Sequence, residues 1–334
     1  MSFPREPKPS WDEVPAALRE KIAGLVGEPI AAGDIVYGGY GPTATFALTT
    51  ASGAKHFVKG THPGNTKEGH VAVLRECRGL TNYPELAAFG PRYLGMVESN
   101  GWTLAVLEFA ARGKAVPPWS EADAQRAIEH IAAFHNEAPE RVATELRDIL
   151  SSDLMAKGSN WQSLNDARMR EGFVQLFADP DAAERWLRTH LDTLIALKAQ
   201  VPGGPRSWVH MDIRSDNFVF ADDGRLLLVD WPVLSYGPRL LDIGFFLPSL
   251  QGEGGPACAD GLRRYQAAAG VTFAADDIAI ATATIAGFFA ARAGEPEIAV
   301  LPRLRWIQKL QLFPALGWMC DCLGIDKPPV PKAF

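Results

Sequence analysis

The apolar periodicity of this chain changes near Ser120, and that change limits its fold more than any other feature. Before it, apolar and β-branched residues come in short runs at residues 34–37, 43–50, 55–59, 93–97 and 103–108. Turn-forming stretches separate them: Gly38-Gly39-Tyr40-Gly41-Pro42, Ala51-Ser52-Gly53-Ala54 and Ser99-Asn100-Gly101. Runs of this kind predict an antiparallel meander, with one helix over residues 67–80. A further helix is predicted ahead of them. Ser10 and Glu13 match a capping box, and Leu18, Ile22 and Leu25 recur at helical spacing until Gly27. After Ser120, which can cap a helix, Ala127, Ile128, Ile131 and Phe134 share one helical face. Helical patterning then continues to about residue 200 and resumes after residue 230. Residues 207–230 interrupt it with two short apolar strands, 218–220 and 226–229, joined by Asp222-Asp223-Gly224. A β-rich first third followed by helices with one embedded hairpin predicts an α+β chain of two lobes, residues 1–110 and 111–334.

Charge and cysteine usage narrow the function classes. The net charge is −6, whereas phosphate-backbone binding needs a basic footprint, so no nucleic-acid partner is expected. Four cysteines, irregularly placed, read as thiols in a reducing compartment; Cys320-Asp321-Cys322 lacks zinc-ligand spacing. The first ten residues are rich in proline and charge and carry no apolar signal core. The longest apolar stretch, residues 278–291, is shorter than the ~20 residues of a membrane span and predicts a buried helix. A cytoplasmic protein without membrane contact is expected.

The embedded hairpin carries the chemistry. Asp212 and Asn217 precede it and Asp230 ends it. Folding the hairpin brings its ends together, so the three side chains can converge. Two carboxylates and an amide suit Mg²⁺, a hard ion that takes oxygen ligands. A carboxylate not used by the metal can accept a proton from a hydroxyl nucleophile.

His210-Met211-Asp212-Ile213-Arg214-Ser215-Asp216-Asn217, followed thirteen residues later by Asp230-Trp231, resembles the catalytic and metal-binding loops of the protein-kinase-like fold. It is most similar to the aminoglycoside phosphotransferase and choline kinase group. Trp231-Pro232 stands where protein kinases have Phe-Gly. The resemblance implies that Asp212 orients the substrate hydroxyl and that Asn217 and Asp230 hold Mg²⁺ on the nucleotide phosphates. It also implies that Asp242 braces the loop, and that His210 and His135 are packing residues. Arg214, two residues after Asp212, is where this loop departs from its relatives; its guanidinium can neutralise charge on the transferring group.

In the first third, Lys59 ends a predicted strand and Glu76 lies seventeen residues on, in the next helix. The resemblance implies a lysine on the nucleotide phosphates paired with a helix glutamate, and Glu68 is the rival for that pairing. Gly39 and Gly41 sit in a turn before a strand, which suits a loop covering phosphates and not a dinucleotide fingerprint. Glu108 and Ala110 fall in the linker where the adenine meets backbone groups in this fold. ATP is the expected nucleotide, with GTP left open.

Residues 251–334 carry eight acids and eight bases beside several aromatics. A neutral, aromatic region suits an apolar or aromatic alcohol better than a polycation. The expectation is therefore a phosphotransferase acting on a small-molecule hydroxyl, with the acceptor and oligomeric state open. The alternative is a catalytically silent kinase-fold protein that binds nucleotide.

Overall fold

The computed structural model describes residues 5–37, 42–152 and 160–333. The chain begins with α1 (Ala16–Val26), β1 (Ile30–Ile35), β2 (Ala44–Thr50), β3 (Lys55–Thr61) and α2 (Lys67–Asn82). It continues through β4 (Tyr93–Ser99), β5 (Trp102–Glu108) and β6 (Arg112–Lys114) to α3 (Glu121–Asn136) and α4 (Val142–Glu145). Next come α5 (Ala167–Val174), α6 (Pro180–Lys198), β7 (Arg206–Val209), β8 (Phe218–Ala221), β9 (Leu226–Leu228) and β10 (Ser235–Pro238). It closes with α7 (Arg239–Gly252), α8 (Cys258–Ala269), α9 (Ala275–Ala293) and α10 (Leu304–Leu323). Two units result. One holds Met1–Val116, Asp216–Leu234 and Ile298–Pro302; the other holds Pro117–Ser215, Ser235–Glu297 and Arg303–Phe334.

The first unit is built on an antiparallel sheet in the order β1-β2-β3-β5-β4. In β2, alternate residues Ala44, Phe46, Leu48 and Thr50 are buried, as a strand with one face on a core requires. Leu18 and Ile22 of α1 and Trp11 cover that face, with Trp11 edge-on to Phe46 at 5.3 Å between centroids. Gly60 allows β3 to lie against β5, since a Cβ there would sit 1.9 Å from the Thr103 carbonyl oxygen. The hairpin β8–β9 pairs Phe218 with Leu228 and extends to β6, giving a second, three-stranded sheet. Gly224 turns it at φ +87°.

The opening helix differs from its sequence expectation. The Ser10–Glu13 capping box forms, with the Ser10 N–H donating to Glu13 Oε2 at 2.6 Å, but it closes only a single turn, Trp11–Glu13. Pro15 excludes helical geometry at Val14, which is extended, and α1 restarts at Ala16. Within α1, Leu18 and Ile22 are buried and Leu25, near the helix end, is exposed.

The second unit is largely helical, with β7 and β10 as its antiparallel pair. The predicted apolar helix is α9, buried along most of its length. Ser120 caps α3 by accepting the Asp123 N–H at 3.1 Å. Trp208 on β7 stacks on Phe134 of α3, with centroids 5.1 Å apart. Among the described residues, no helix is long and apolar enough to cross a membrane.

Candidate active site

The first unit carries a cation between two carboxylates. Lys59 projects from β3, and its Nζ lies 2.9 Å from Glu76 Oε2 and 2.6 Å from Asp230 Oδ1. Glu76 is buried on α2, whereas Glu68 stands exposed in that helix's first turn, so Glu76 is the partner. The Glu76 carboxylate also accepts the Trp231 N–H at 3.1 Å. That bond secures the residue after Asp230, whose φ of +73° is costly for a non-glycine residue. Burial works against the charge on Lys59, but Asp230 and Glu76 more than reverse this and hold it above the ordinary lysine range. Burial, helped by the nearby Asp230 charge, pushes the Glu76 carboxyl up against the opposing pull of Lys59.

Asn217 and Asp230 flank the hairpin. The Val229 N–H donates to the Asn217 carbonyl at 3.0 Å, which closes the strands directly between the two residues. The phenyl-rich strand β8 buries its Phe218 and Phe220 beneath. Among the described residues, no group of three or more His, Cys, Asp or Glu is arranged to hold a metal. One carboxylate and one amide nevertheless fit Mg²⁺, which ordinarily takes one or two carboxylates and completes its shell with phosphate and water.

Other first-unit residues are placed less directly. Glu108 ends β5, and its carboxylate pairs with Arg225 at 2.7 Å and accepts the Arg92 N–H at 3.2 Å. The Arg225 hydrogen bond holds it below the usual carboxylate range. Its side chain thus ties the hairpin turn to the sheet. Ala110 follows β5 and is half-buried. Gly39 and Gly41 lie outside the described residues.

Asp212 and Arg214 belong to the second unit. Arg214 Nη1 donates to Asp212 Oδ1, so the cation expected for the transferring group rests on the carboxylate expected to orient the nucleophile. Their loop leaves β7 through His210, which is fully buried and whose Nδ1 lies 3.2 Å from the Asp212 N–H. Met211 takes φ +62°. Asp242, fully buried in the first turn of α7, accepts the His210 N–H at 2.8 Å and the Met211 N–H at 2.6 Å. Behind it, His135 Nε2 lies 3.0 Å from Asp242 Oδ2, and His135 Nδ1 lies 2.5 Å from the Tyr265 hydroxyl. Burial keeps His135 below the ordinary histidine range. A neutral ring donating to Asp242 leaves Nδ1 to accept from Tyr265.

Tyr265, Trp119 and Glu253 also serve this loop, and sequence reasoning did not find them. Ser215 Oγ donates to Glu253 Oε1 at 2.6 Å, and Trp119 Nε1 donates to Glu253 Oε2 at 2.8 Å. Each contact joins residues far apart in the chain, and no local pattern announces such a pair.

The profile of the phosphotransferase enzyme family matches residues 38–276. The chain belongs to that family. Its fold is the two-lobed, protein-kinase-like α+β fold. It is similar to the structure of spectinomycin phosphotransferase in complex with ADP and spectinomycin, at 14% identity over 89% of this chain and 93% of that one, with a TM-score of 0.56. Choline kinase from Streptococcus pneumoniae is similar at 15% identity, over 91% and 98% of the respective chains, with a TM-score of 0.54. A putative fructosamine-3-kinase from Thermobifida fusca is similar at 19% identity, over 89% and 98%, with a TM-score of 0.53. At these identities the likeness concerns the fold. A search of curated protein sequences returns no significant match.

Proposed function

We propose that this chain is an ATP- and Mg²⁺-dependent phosphotransferase that carries the γ-phosphoryl group to a hydroxyl of a small molecule. The observation that carries the reading is the pairing of Lys59 with both Glu76 and Asp230. A strand lysine held between two carboxylates is set to take nucleotide phosphate while one acid turns to a metal. Two of the fold's relatives, a spectinomycin phosphotransferase and a choline kinase, were solved with ADP or AMP, which supports a nucleotide for this chain too.

In this reading the first unit binds nucleotide. Lys59 contacts the phosphates, with Glu76 fixing its direction. Asn217 and Asp230 would hold Mg²⁺, which neutralises phosphate charge when bound. The second unit presents the acceptor. Asp212 orients the hydroxyl and takes its proton as the phosphoryl group transfers in line. Arg214 holds that carboxylate and brings positive charge to the transferring group. A single loop carries Asp212 and, five residues on, Asn217.

The neutral C-terminal region adds a limit on the acceptor. Its aromatic residues Phe289 and Trp318 are buried, and Phe288 packs edge-on against Phe245 and Phe289. These rings are therefore spent largely on the helical core. The decisive experiment incubates the protein with ATP, Mg²⁺ and a panel of hydroxylated compounds, aminoglycosides, choline and sugar amines included. Mass spectrometry should show one compound gaining a single phosphoryl group. No gain in any compound, together with no Mg²⁺-dependent ATP hydrolysis, would leave the catalytically silent nucleotide-binding protein as the better reading.

A further inference from the structure

The chain passes between the two units at Val116–Pro117 and again at Ser215–Asp216. Trp119 stands just after the first of these crossings and Ser215 immediately before the second. One carboxylate, Glu253, accepts from both: from Ser215 Oγ at 2.6 Å and from Trp119 Nε1 at 2.8 Å. All three residues lie in the second unit. Trp119 and Ser215 are both buried, and Trp119 also packs edge-on against Phe246 at 6.0 Å between centroids.

Glu253 follows the last residue of α7, where an acid is electrostatically disfavoured by the helix dipole. Two hydrogen-bond donors aimed at its oxygens offset that, and bonds to an ionised acceptor are stronger than neutral ones. The rest of α7 explains the position. Asp242, Phe246, Ser249 and Glu253 recur at intervals of four, three and four, so they share one helical face. Asp242 grips the start of the loop at His210 and Met211, and Glu253 grips its end at Ser215. Eleven helical residues rise about 16 Å, and the five steps from His210 to Ser215 reach at most about 17 Å when extended. The helix is thus long enough to hold the loop at both ends.

We infer that Glu253 is a positioning residue: it fastens the end of the catalytic loop to the segment following the first crossing, and so sets where Asp212 and the chain leading to Asn217 are held. The kinetic part of this inference rests on the proposed phosphotransferase reading; the structural part does not. Asp242 alone would fix only the loop's beginning, leaving Ser215 to swing with each movement of the chain beyond it.

The test uses the full-length protein and Glu253→Gln, which keeps shape but removes the charge and replaces one of the two acceptor oxygens by an amide NH2. Hydrogen exchange followed by mass spectrometry should show amides at 210–217 and 117–121 exchanging at least about tenfold faster, with those of β3 and α2 unchanged. In Mg²⁺-dependent ATP hydrolysis, kcat should fall about 10- to 100-fold, with KM for ATP within about twofold. Ser215→Ala should add little in the Glu253→Gln background, because both remove one contact. Ser215→Ala and Trp119→Phe carry the same test if Glu253→Gln does not fold. Unchanged exchange in the loop, or faster exchange spread over the whole chain, would overturn the inference, as would a fully multiplicative Ser215→Ala effect. A wild type without hydrolysis or transfer would overturn the functional reading instead, and the exchange result would still decide the clamp.

Discussion

In the first unit, a buried carboxylate, Glu76, accepts the N–H of Trp231 beside the positive-φ residue Asp230; in the second, Asp242 accepts the N–H of the positive-φ residue Met211 itself. Both arrangements hold a left-handed residue that would cost about 1–3 kcal/mol without such support. They differ in what faces the carboxylate. Glu76 meets a lysine, and Asp242 meets a buried, neutral histidine. The first half is therefore a charge network, one lysine shared between two carboxylates. The second is a hydrogen-bonded scaffold that holds a loop. A single fold thus uses buried acids for two purposes, and substitutions should separate them.

The sharpest separation comes from Asp212→Asn against Lys59→Met. Asp212→Asn should lower kcat by about 10³-fold, within the usual range for a lost general base, and leave ATP affinity nearly intact by calorimetry. Lys59→Met should do the reverse to binding, weakening ATP about 10- to 100-fold by loss of a charge-assisted phosphate contact. If both variants lose binding equally, the division of labour is wrong.

Lys59→Met should also destabilise the protein by about 3 kcal/mol, because it strands Glu76 as an uncompensated buried acid. Adding Glu76→Gln should recover much of that stability in urea unfolding without restoring ATP binding. Recovery of both would mean that Lys59 acts on nucleotide only through the fold. In the other half, Asp242→Asn should cost about 2–4 kcal/mol, since it replaces an acceptor of two N–H groups and a histidine.

Tyr265→Phe is a smaller step, about 1 kcal/mol, from the loss of one hydrogen bond to His135 Nδ1. The smallest effect is in pH dependence. Burial keeps folded His135 below the ordinary value of about 6.5, so the unfolded chain binds more protons just under that value. Its stabilising contribution is complete above about pH 6.5 and declines as the pH falls toward the folded value. Thermal melts at pH 7.5 and 5.5 should show a smaller acid-induced drop for His135→Gln than for the wild type. An equal drop would mean that His135 is not the group that charges.

The two halves were unequally legible in sequence. Asn217 and Asp230 could be read because a hairpin brings its own ends together, and Asp222-Asp223-Gly224 marks its turn locally. Lys59 could be placed on a strand, but Glu76 and Glu68 lie on one helix, and only packing of α2 on the sheet decides which one buries against the lysine. The opening helix was misread for a local reason of its own. The capping box marks a start at Ser10, yet Pro15 outweighs the cap and displaces the first helical turn.

His135, Asp242 and Tyr265 meet across separations of more than a hundred residues, and Ser215 meets Glu253 across thirty-eight. Nothing in hydrophobic period or turn chemistry encodes a hydrogen bond between side chains on different helices. What the amino-acid sequence determined by itself was the change from a β-rich to a helical chain, the β8–β9 hairpin and the set of oxygen-bearing residues around it, because these follow from neighbours within a few positions; the short strands β6, β7 and β10 carried no such local signal. Which acid meets the lysine, and that His135, Tyr265 and Glu253 join Asp242 in holding the loop from behind, was decided only by tertiary structure, where helices α2, α3, α7 and α8 bring distant side chains within hydrogen-bonding range.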